Sequence, residues 1–169
     1  MNNFISGWYL IYTRPRHEKK ITARLNEMSI DSLLPTKKRL RPWHDRKKYI
    51  DEPLFPSYVF VYLHNVQSYY GGMDIDGALY YVRSGKEAAR INESVINNIR
   101  LATEEGHEIE VLENYFQPGQ QLVIRQGVLT GLSGELVQFN GKRKLLVRVD
   151  LLQRSILLTL PPEDLMIIK

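Results

Sequence analysis

The sequence of 169 residues contains no cysteine, which excludes disulfide bonds and thiolate metal sites. It also has no apolar run close to the ~20 residues that a membrane-spanning helix needs. Its N-terminal segment lacks the basic stretch and apolar core of a secretion signal. We therefore expect a cytoplasmic protein that has no membrane among its partners.

Motifs for catalysis and for metal binding are also missing. The four histidines, at positions 17, 44, 64 and 107, are scattered, and their spacing suits no metal site. The pair Gly85-Lys86 lacks the upstream glycine and the following Ser or Thr of a phosphate loop. We expect a binding protein rather than an enzyme, with no metal and no cofactor.

Positive charge is concentrated in one part of the chain, although the net charge is only +4. Residues 14–48 hold twelve Lys and Arg against four Asp and Glu, a local balance of +8. Residues 87–113 hold two Arg against seven Glu, a balance of −5. A basic segment of this kind favours contact with a polyanion, and a solvated surface is the alternative.

The first hundred residues mix strand and helix patterns. A helix is predicted over residues 14–28, with Pro15 in its first turn and apolar residues at helical spacing. Another helix follows Asn92, with Ile96 and Ile99 on its buried side. Aromatic and β-branched runs predict strands at residues 8–13, 55–63 and 79–83, and polar residues 41–52 indicate a loop or hairpin tip.

The remainder of the chain has a different pattern. Residues 104–117 are acidic with little periodicity, and we interpret them as a linker. From residue 118 to 169, short runs of alternating apolar residues are separated by glycines, which is typical of a small β-barrel. Each glycine costs about 1 kcal/mol in a helix interior. We therefore expect strands, and no helical form, between Leu136 and Leu160.

Several motifs resemble those of the NusG family. The segment FPSYVFV at residues 55–61 resembles the signature of the NusG N-terminal domain, where an aromatic-Pro-x-Tyr sequence opens a central strand. Residues 8–12 and 14–28 match the first strand and helix of that domain. Pro118-Gly119, Gly127 and Gly134 match a KOW motif. The resemblance covers the chain from residue 7 onward.

This resemblance implies an α+β fold in two parts. The N-terminal domain, residues 1–103, is expected to be an antiparallel sheet flanked by helices. After the linker at 104–117, residues 118–169 are expected to form a small all-β, SH3-like KOW barrel of five strands.

A narrower resemblance concerns function. The segments LRPWHDRKK at 40–48 and PLFPSY at 53–58 look like the specialised UpxY/RfaH-type paralogues of the family. They imply an antitermination and elongation factor that promotes processive transcription of long surface-polysaccharide operons. A housekeeping NusG elongation and termination factor is one alternative. A ribosome-associated KOW protein that binds RNA is another, although residues 119–169 carry a balance of only +3.

Large aromatic side chains are the candidate contacts with RNA polymerase, because they supply rigid anchor area at low entropic cost. The resemblance implies that they bind the clamp helices of the polymerase's largest subunit. A position in the core is the alternative for each of them. The candidates are Tyr12, Phe55, Tyr58, Phe60 and Tyr81.

Basic side chains are the candidate contacts with nucleic acid. Arg16, Lys20 and Arg24 lie four residues apart, which places them on one side of a helix. The resemblance implies that this helix, with Arg14, faces non-template DNA in the transcription bubble, and that Lys47 and Lys48 extend the patch. For the KOW domain it implies a small-subunit ribosomal protein or the termination factor Rho as partner.

Overall fold

The chain divides into two units in the computed structural model, residues 1–93 and residues 94–169. The structure describes residues 3–104, 107–113, 116–125 and 127–159. The sequence placed the first domain boundary after residue 103, whereas the division in the structure falls ten residues earlier, after Glu93. Almost all of the helix predicted after Asn92 therefore belongs to the second unit.

The first unit centres on an antiparallel sheet with the strand order β2-β5-β1-β6. Strands β3 and β4 form a separate hairpin, as do β7 and β8. Its elements are β1 (Gly7–Thr13), α1 (Glu18–Glu27), β2 (Ser32–Leu33), β3 (Thr36–Pro42), β4 (Lys47–Pro53), β5 (Tyr58–Leu63), α2 (Val66–Met73), β6 (Ala78–Tyr81), β7 (Arg83–Ser84) and β8 (Glu87–Ala88).

The core of this unit lies between the sheet and its helices. Tyr9 and Ile11 of β1 lie in this core. The residue between them points to the opposite face of the sheet, because successive strand residues point to opposite sides. Ile21 and Leu25, four residues apart on one side of α1, are fully buried in the same cluster. The periodicity of the sequence therefore predicted this helix and its buried side at Ile21 and Leu25, but Met28, the third residue of the predicted apolar side, is the C-cap and is 38% exposed.

The start of α1 differs from the prediction. Residues 15 and 16 form a turn, and the helix begins at Glu18 with His17 as its N-cap. Arg16 has a φ of +67°, a left-handed conformation that a helix interior excludes. The buried carboxylate of Glu18 accepts hydrogen bonds from the backbone N–H of Ser57, at 2.9 Å, and of Arg16, at 3.3 Å. This acid therefore holds the turn before α1 against the start of β5.

The second unit contains a five-stranded antiparallel sheet with the order β10-β11-β12-β13-β9. The expected linker contributes its strand β9, which pairs with β13. Between residues 136 and 159 the chain forms strands, as predicted, and one short 3-10 helix, Asp150–Leu152, that was not predicted; Leu160 lies outside the described residues. The elements are α3 (Glu93–Ala102), β9 (Ile109–Leu112), β10 (Gln120–Val123), β11 (Ser133–Phe139), β12 (Lys142–Val149) and β13 (Arg154–Leu158).

Polar contacts and a close approach tie this unit together. The side chain of Asn98 in α3 accepts from the backbone N–H of Ser133 at 3.0 Å and donates to its hydroxyl at 3.1 Å. Gly134 is required by sheet geometry, because a Cβ there would lie 2.6 Å from the carbonyl oxygen of Leu146.

None of the helices in the described ranges has the length and apolar character needed to cross a bilayer.

Candidate functional site

Three tyrosines form a row across one end of the first unit's sheet. Tyr12 of β1 pairs in register with Tyr58 of β5 on one side and with Tyr80 of β6 on the other. The ring centroids of Tyr12 and Tyr58 lie 5.3 Å apart, and those of Tyr12 and Tyr80 lie 5.0 Å apart. Tyr80 is 52% exposed, whereas Tyr12 and Tyr58 are half-buried. This tyrosine row is an open aromatic surface on a rigid support.

Three other predicted aromatic contacts lie in the core. Phe55 is 1% exposed, Phe60 is fully buried and Tyr81 is 2% exposed. Phe60 pairs in register with Leu10, deeper in the sheet than the tyrosine row, and the ring of Phe55 packs edge-on against it at 6.2 Å. The prediction that these three side chains are surface contacts is therefore wrong, because they are core residues.

Tyr81 has a structural role in that core. Its hydroxyl donates a hydrogen bond to the carbonyl oxygen of Tyr69 at 2.6 Å. Burial, with a smaller contribution from Tyr69, raises the pKa of Tyr81 well above its ordinary value, so the phenol stays a donor. A Cβ at Gly72 would collide with this hydroxyl, so α2 approaches the sheet here only because the residue is glycine.

The sequence missed Tyr80 although it selected its neighbour. Adjacent strand residues point to opposite faces, so one member of the Tyr80-Tyr81 pair had to face outward. Which member does so depends on the register of β6 against β1, and that register shifts between Tyr12 and Thr13. No signal in a single sequence reports such a shift.

The basic residues around α1 are arranged differently from the predicted stripe. Lys20 and Arg24 lie on the helix, whereas Arg14 and Arg16 precede it. Lys20 Nζ lies 2.7 Å from Asp76 Oδ2, and Arg14 Nη1 lies 3.9 Å from Asp76 Oδ1. Arg24 Nη1 lies 2.7 Å from Oε2 of Glu27 on the same helix. Of the four cations predicted as contacts around α1, three therefore lie beside carboxylates.

An open groove of about 400 Å³ lies between α1 and the end of α2. Two cations, Lys20 and Arg24, line it together with three carboxylates, so its charge is mixed rather than strongly positive. The carboxylates are those of Glu27, Asp74 and Asp76. Among the described residues, no group of three or more His, Asp or Glu is arranged to hold a metal ion.

The last two predicted contacts, Lys47 and Lys48, lie on β4 and not in a loop. Because they are adjacent in a strand, their side chains point to opposite faces of the β3–β4 hairpin. Arg41 is the cross-strand partner of Lys48, and Pro42 is that of Lys47. Both lysines are exposed. They therefore belong to two separate surfaces.

Comparison with known proteins gives one family and a related fold. The family model described as "Transcription termination factor nusG" matches residues 6–100. The structure named "Domain interaction in Thermotoga maritima NusG" is similar with a TM-score of 0.51 and 20% identity, covering 92% of this chain and 93% of that chain. This likeness shows a shared fold.

A second solved structure is more distant. "Crystal Structure of MjSpt4:Spt5 complex conformation B" has a TM-score of 0.34 and 15% identity to this chain. The match covers 96% of this chain and 97% of that chain.

Proposed function

The chain belongs to the NusG family, and from that premise we propose that it is a transcription elongation and antitermination factor that binds RNA polymerase. The observation that carries this proposal is the tyrosine row of Tyr12, Tyr58 and Tyr80, held on three neighbouring strands. The partner that we propose for the row is the pair of clamp helices of the polymerase's largest subunit. The place of action is the cytoplasm.

The physical character of the row suits a helical partner. Tyrosine offers a large apolar ring with few rotatable bonds and a hydroxyl that tolerates water before binding. Anchors of this type contribute most of the free energy at protein interfaces. Apolar side chains of a helix, recurring every three or four residues, fill such an aromatic surface. The sheet beneath the row keeps the anchors in place, so little ordering entropy is lost on binding.

The test is the affinity of the full chain for purified RNA polymerase. Replacing Tyr12, Tyr58 or Tyr80 with alanine should each cost about 2 kcal/mol, close to a thirtyfold weaker association. Tyr70→Ala is the matched control, because Tyr70 is 63% exposed in the same unit but lies outside the row. Equal affinity of the row variants and the control, with native circular dichroism, would remove the row as the polymerase site.

We also propose that α1 contacts non-template DNA on the transcribing polymerase. The side chains of Arg14, Lys20 and Arg24 are each about 60% exposed, which supports such contacts. Lys20→Gln with Arg24→Gln should reduce crosslinking to the non-template strand of a stalled complex. Unchanged crosslinking would leave this side of α1 as a solvated surface.

For the second unit we propose an SH3-like KOW barrel that recruits a further factor. Its five antiparallel strands support this assignment. The two partners to compare are a ribosomal small-subunit protein and the termination factor Rho. Capture of purified small subunits, or of Rho, by the full chain distinguishes them.

The specialised role is the last part of the proposal. The segment similar to UpxY/RfaH-type paralogues, residues 40–48, lies within the β3–β4 hairpin and its tip, an exposed element. Such a role predicts that loss of the protein changes polymerase occupancy only along a few long surface-polysaccharide operons. A genome-wide change in occupancy would instead identify a housekeeping factor.

A further inference from the structure

Two residues of the first unit, one before α1 and one before β5, adopt a left-handed backbone conformation. Arg16 has a φ of +67° and Ser57 has a φ of +71°. Residues that carry a side chain rarely adopt such angles. They do so only where surrounding contacts hold them in place, and these positions cluster at functional sites. The contacts that hold these two residues are therefore informative.

Ser57 is the third residue of a tight turn that leads into β5. The turn runs from residue 55 to residue 58, and the backbone N–H of Tyr58 closes it by donating to the carbonyl oxygen of Phe55 at 3.2 Å. Pro56 suits the second position of such a turn, whereas a positive φ at the third position is normally supplied by glycine or asparagine. Because serine lacks that conformational freedom, a contact from outside the turn has to hold Ser57.

The carboxylate of Glu18 provides that contact. Its Oε1 accepts hydrogen bonds from the backbone N–H of Ser57, at 2.9 Å, and of Arg16, at 3.3 Å, so one oxygen holds both left-handed residues. Glu18 is only 5% exposed, and burial of a carboxylate is costly unless hydrogen bonds offset it. Hydrogen bonds to a carboxylate are also stronger than those between neutral groups. The restraint on Ser57 is therefore a strong one.

The position of Ser57 determines how the tyrosine row begins. Tyr58 follows it directly and pairs in register with Tyr12 of β1. The carbonyl oxygen of Ser57 accepts from the backbone N–H of Thr13, the residue after Tyr12, at 2.8 Å. Ser57 is thus bonded on both sides, to Glu18 through its N–H and to β1 through its carbonyl group. It joins the buried carboxylate to the strand ends that carry two of the three tyrosines.

We propose that Glu18 is a positioning residue for polymerase binding, which acts through Ser57 on Tyr58. This inference rests on the proposed function of the tyrosine row. Because Glu18 is buried, it supports the row from below and does not touch the partner. An anchor that is already in place loses little entropy on binding. Without the carboxylate, Ser57 relaxes from its left-handed conformation, and Tyr58 has to be ordered at the moment when polymerase binds.

The first test is the affinity of the full chain for purified RNA polymerase that carries no nucleic acid. Glu18→Ala should weaken the association about tenfold, which lies within the range for coupled neighbours. Adding Ser57→Gly should restore the affinity to within about twofold, because glycine adopts a positive φ without help from a carboxylate. Adding Arg16→Gly instead is the matched control. It relieves the other left-handed residue and should leave the affinity about tenfold reduced.

A double-mutant cycle locates the effect within the tyrosine row. In a Tyr58→Ala background, Glu18→Ala should weaken binding by less than about twofold, because its effect passes through Tyr58. In a Tyr80→Ala background, it should still weaken binding about tenfold. Equal effects in the two backgrounds would overturn the proposal, and so would equal recovery by the two glycine variants. Either result would mean that Glu18 acts on the stability of the whole unit.

The position of Tyr58 is also measured without polymerase, by fluorine NMR of the fluorotyrosine-labelled chain. Tyr58→Phe and Tyr80→Phe assign the two resonances. Glu18→Ala should shift the resonance of Tyr58 and leave that of Tyr80 in place, and Ser57→Gly should reverse the shift. An unmoved Tyr58 resonance would overturn the proposal. If Glu18→Ala lacks native circular dichroism, Glu18→Gln, which keeps an acceptor oxygen, replaces it and should give smaller changes in the same order.

Failure of the tyrosine row as the polymerase site has a different signature. In that case Tyr58→Ala by itself binds polymerase as tightly as the unmodified chain. The fluorine resonance of Tyr58 then still shows whether Glu18 positions this side chain, because that measurement contains no polymerase.

Discussion

The ammonium group of Lys20 lies 2.7 Å from the carboxylate of Asp76, which joins the first turn of α1 to the turn after α2. The hydrogen bond from Lys20, followed by its charge and a smaller contribution from Arg14, lowers the pKa of Asp76. The carboxylate is therefore ionised throughout the neutral range. It neutralises part of the basic surface that the sequence appeared to offer for nucleic acid.

Removing that carboxylate should strengthen contacts of α1 with single-stranded DNA. In Asp76→Asn, Lys20 and Arg14 lose their acidic neighbour, and one additional phosphate contact raises the salt slope by about 0.7. Anisotropy titrations of a single-stranded oligonucleotide measure this slope. Asp74→Asn removes the same charge from the same groove and is the control. A gain of equal size in both variants would reflect net charge and not the Lys20 pair.

Tyr80 and Tyr81 should respond oppositely to substitution. Tyr80→Ala should leave the free energy of unfolding nearly unchanged while weakening polymerase binding, because the side chain is largely exposed. Tyr81→Ala should lower the free energy of unfolding by about 3 kcal/mol or more, through a cavity and a lost hydrogen bond. Urea denaturation followed by the fluorescence of the buried Trp8 reports on this unit. Similar stabilities for the two variants would contradict the assignment of faces on β6.

The ion pair between the buried Glu135 and the partly buried Arg148 should stabilise the second unit. Nε of Arg148 lies 2.6 Å from Oε2 of Glu135, and the backbone N–H of Gly119 donates to Oε1 at 3.0 Å. Burial by itself would raise the pKa of Glu135, but these hydrogen bonds and the charge of Arg148 lower it overall. Glu135→Gln should therefore cost about 2 kcal/mol at neutral pH.

The sign of the pH dependence follows from that lowered pKa. The contribution of Glu135 is fully present above the ordinary value of 4.5 and is lost as the pH falls through the lower, folded-state pKa. The stability difference between Glu135→Gln and the unmodified chain should thus shrink in acid. Hydrogen exchange of β11 to β13 measures it, because both tryptophans, Trp8 and Trp43, lie in the first unit.

A matched control uses the ion pair of Lys144 and Glu110 in the same sheet, 3.9 Å apart, in which the carboxylate of Glu110 is exposed. Glu110→Gln should change the free energy of unfolding by less than about 1 kcal/mol, as expected for a solvent-screened pair. If Glu110→Gln and Glu135→Gln destabilise the unit equally, burial does not distinguish the two pairs.

The aromatic residues show what a sequence pattern predicts and what it leaves open. Tyr12 and Tyr58 were selected from strand-like runs and do lie in the tyrosine row, where both are half-buried. Phe55 and Phe60 come from the same motif but are buried, because the deeper part of that face is covered and only its end is open. The motif predicted the strand correctly; the depth of each side chain within the sheet decided its role.

The sequence by itself determined the family, the helices α1 and α3 and the alternating strands of the second unit, whereas α2 was not predicted. Periodicity and turn chemistry are local, so they can be recognised without knowing the fold. Only the tertiary structure brought Asp76 to Lys20, paired Arg41 with Lys48 and recruited residues 109–112 from the expected linker as a strand. Those contacts join residues distant along the chain or depend on strand register, and a shift of one residue reverses which side chains face outward.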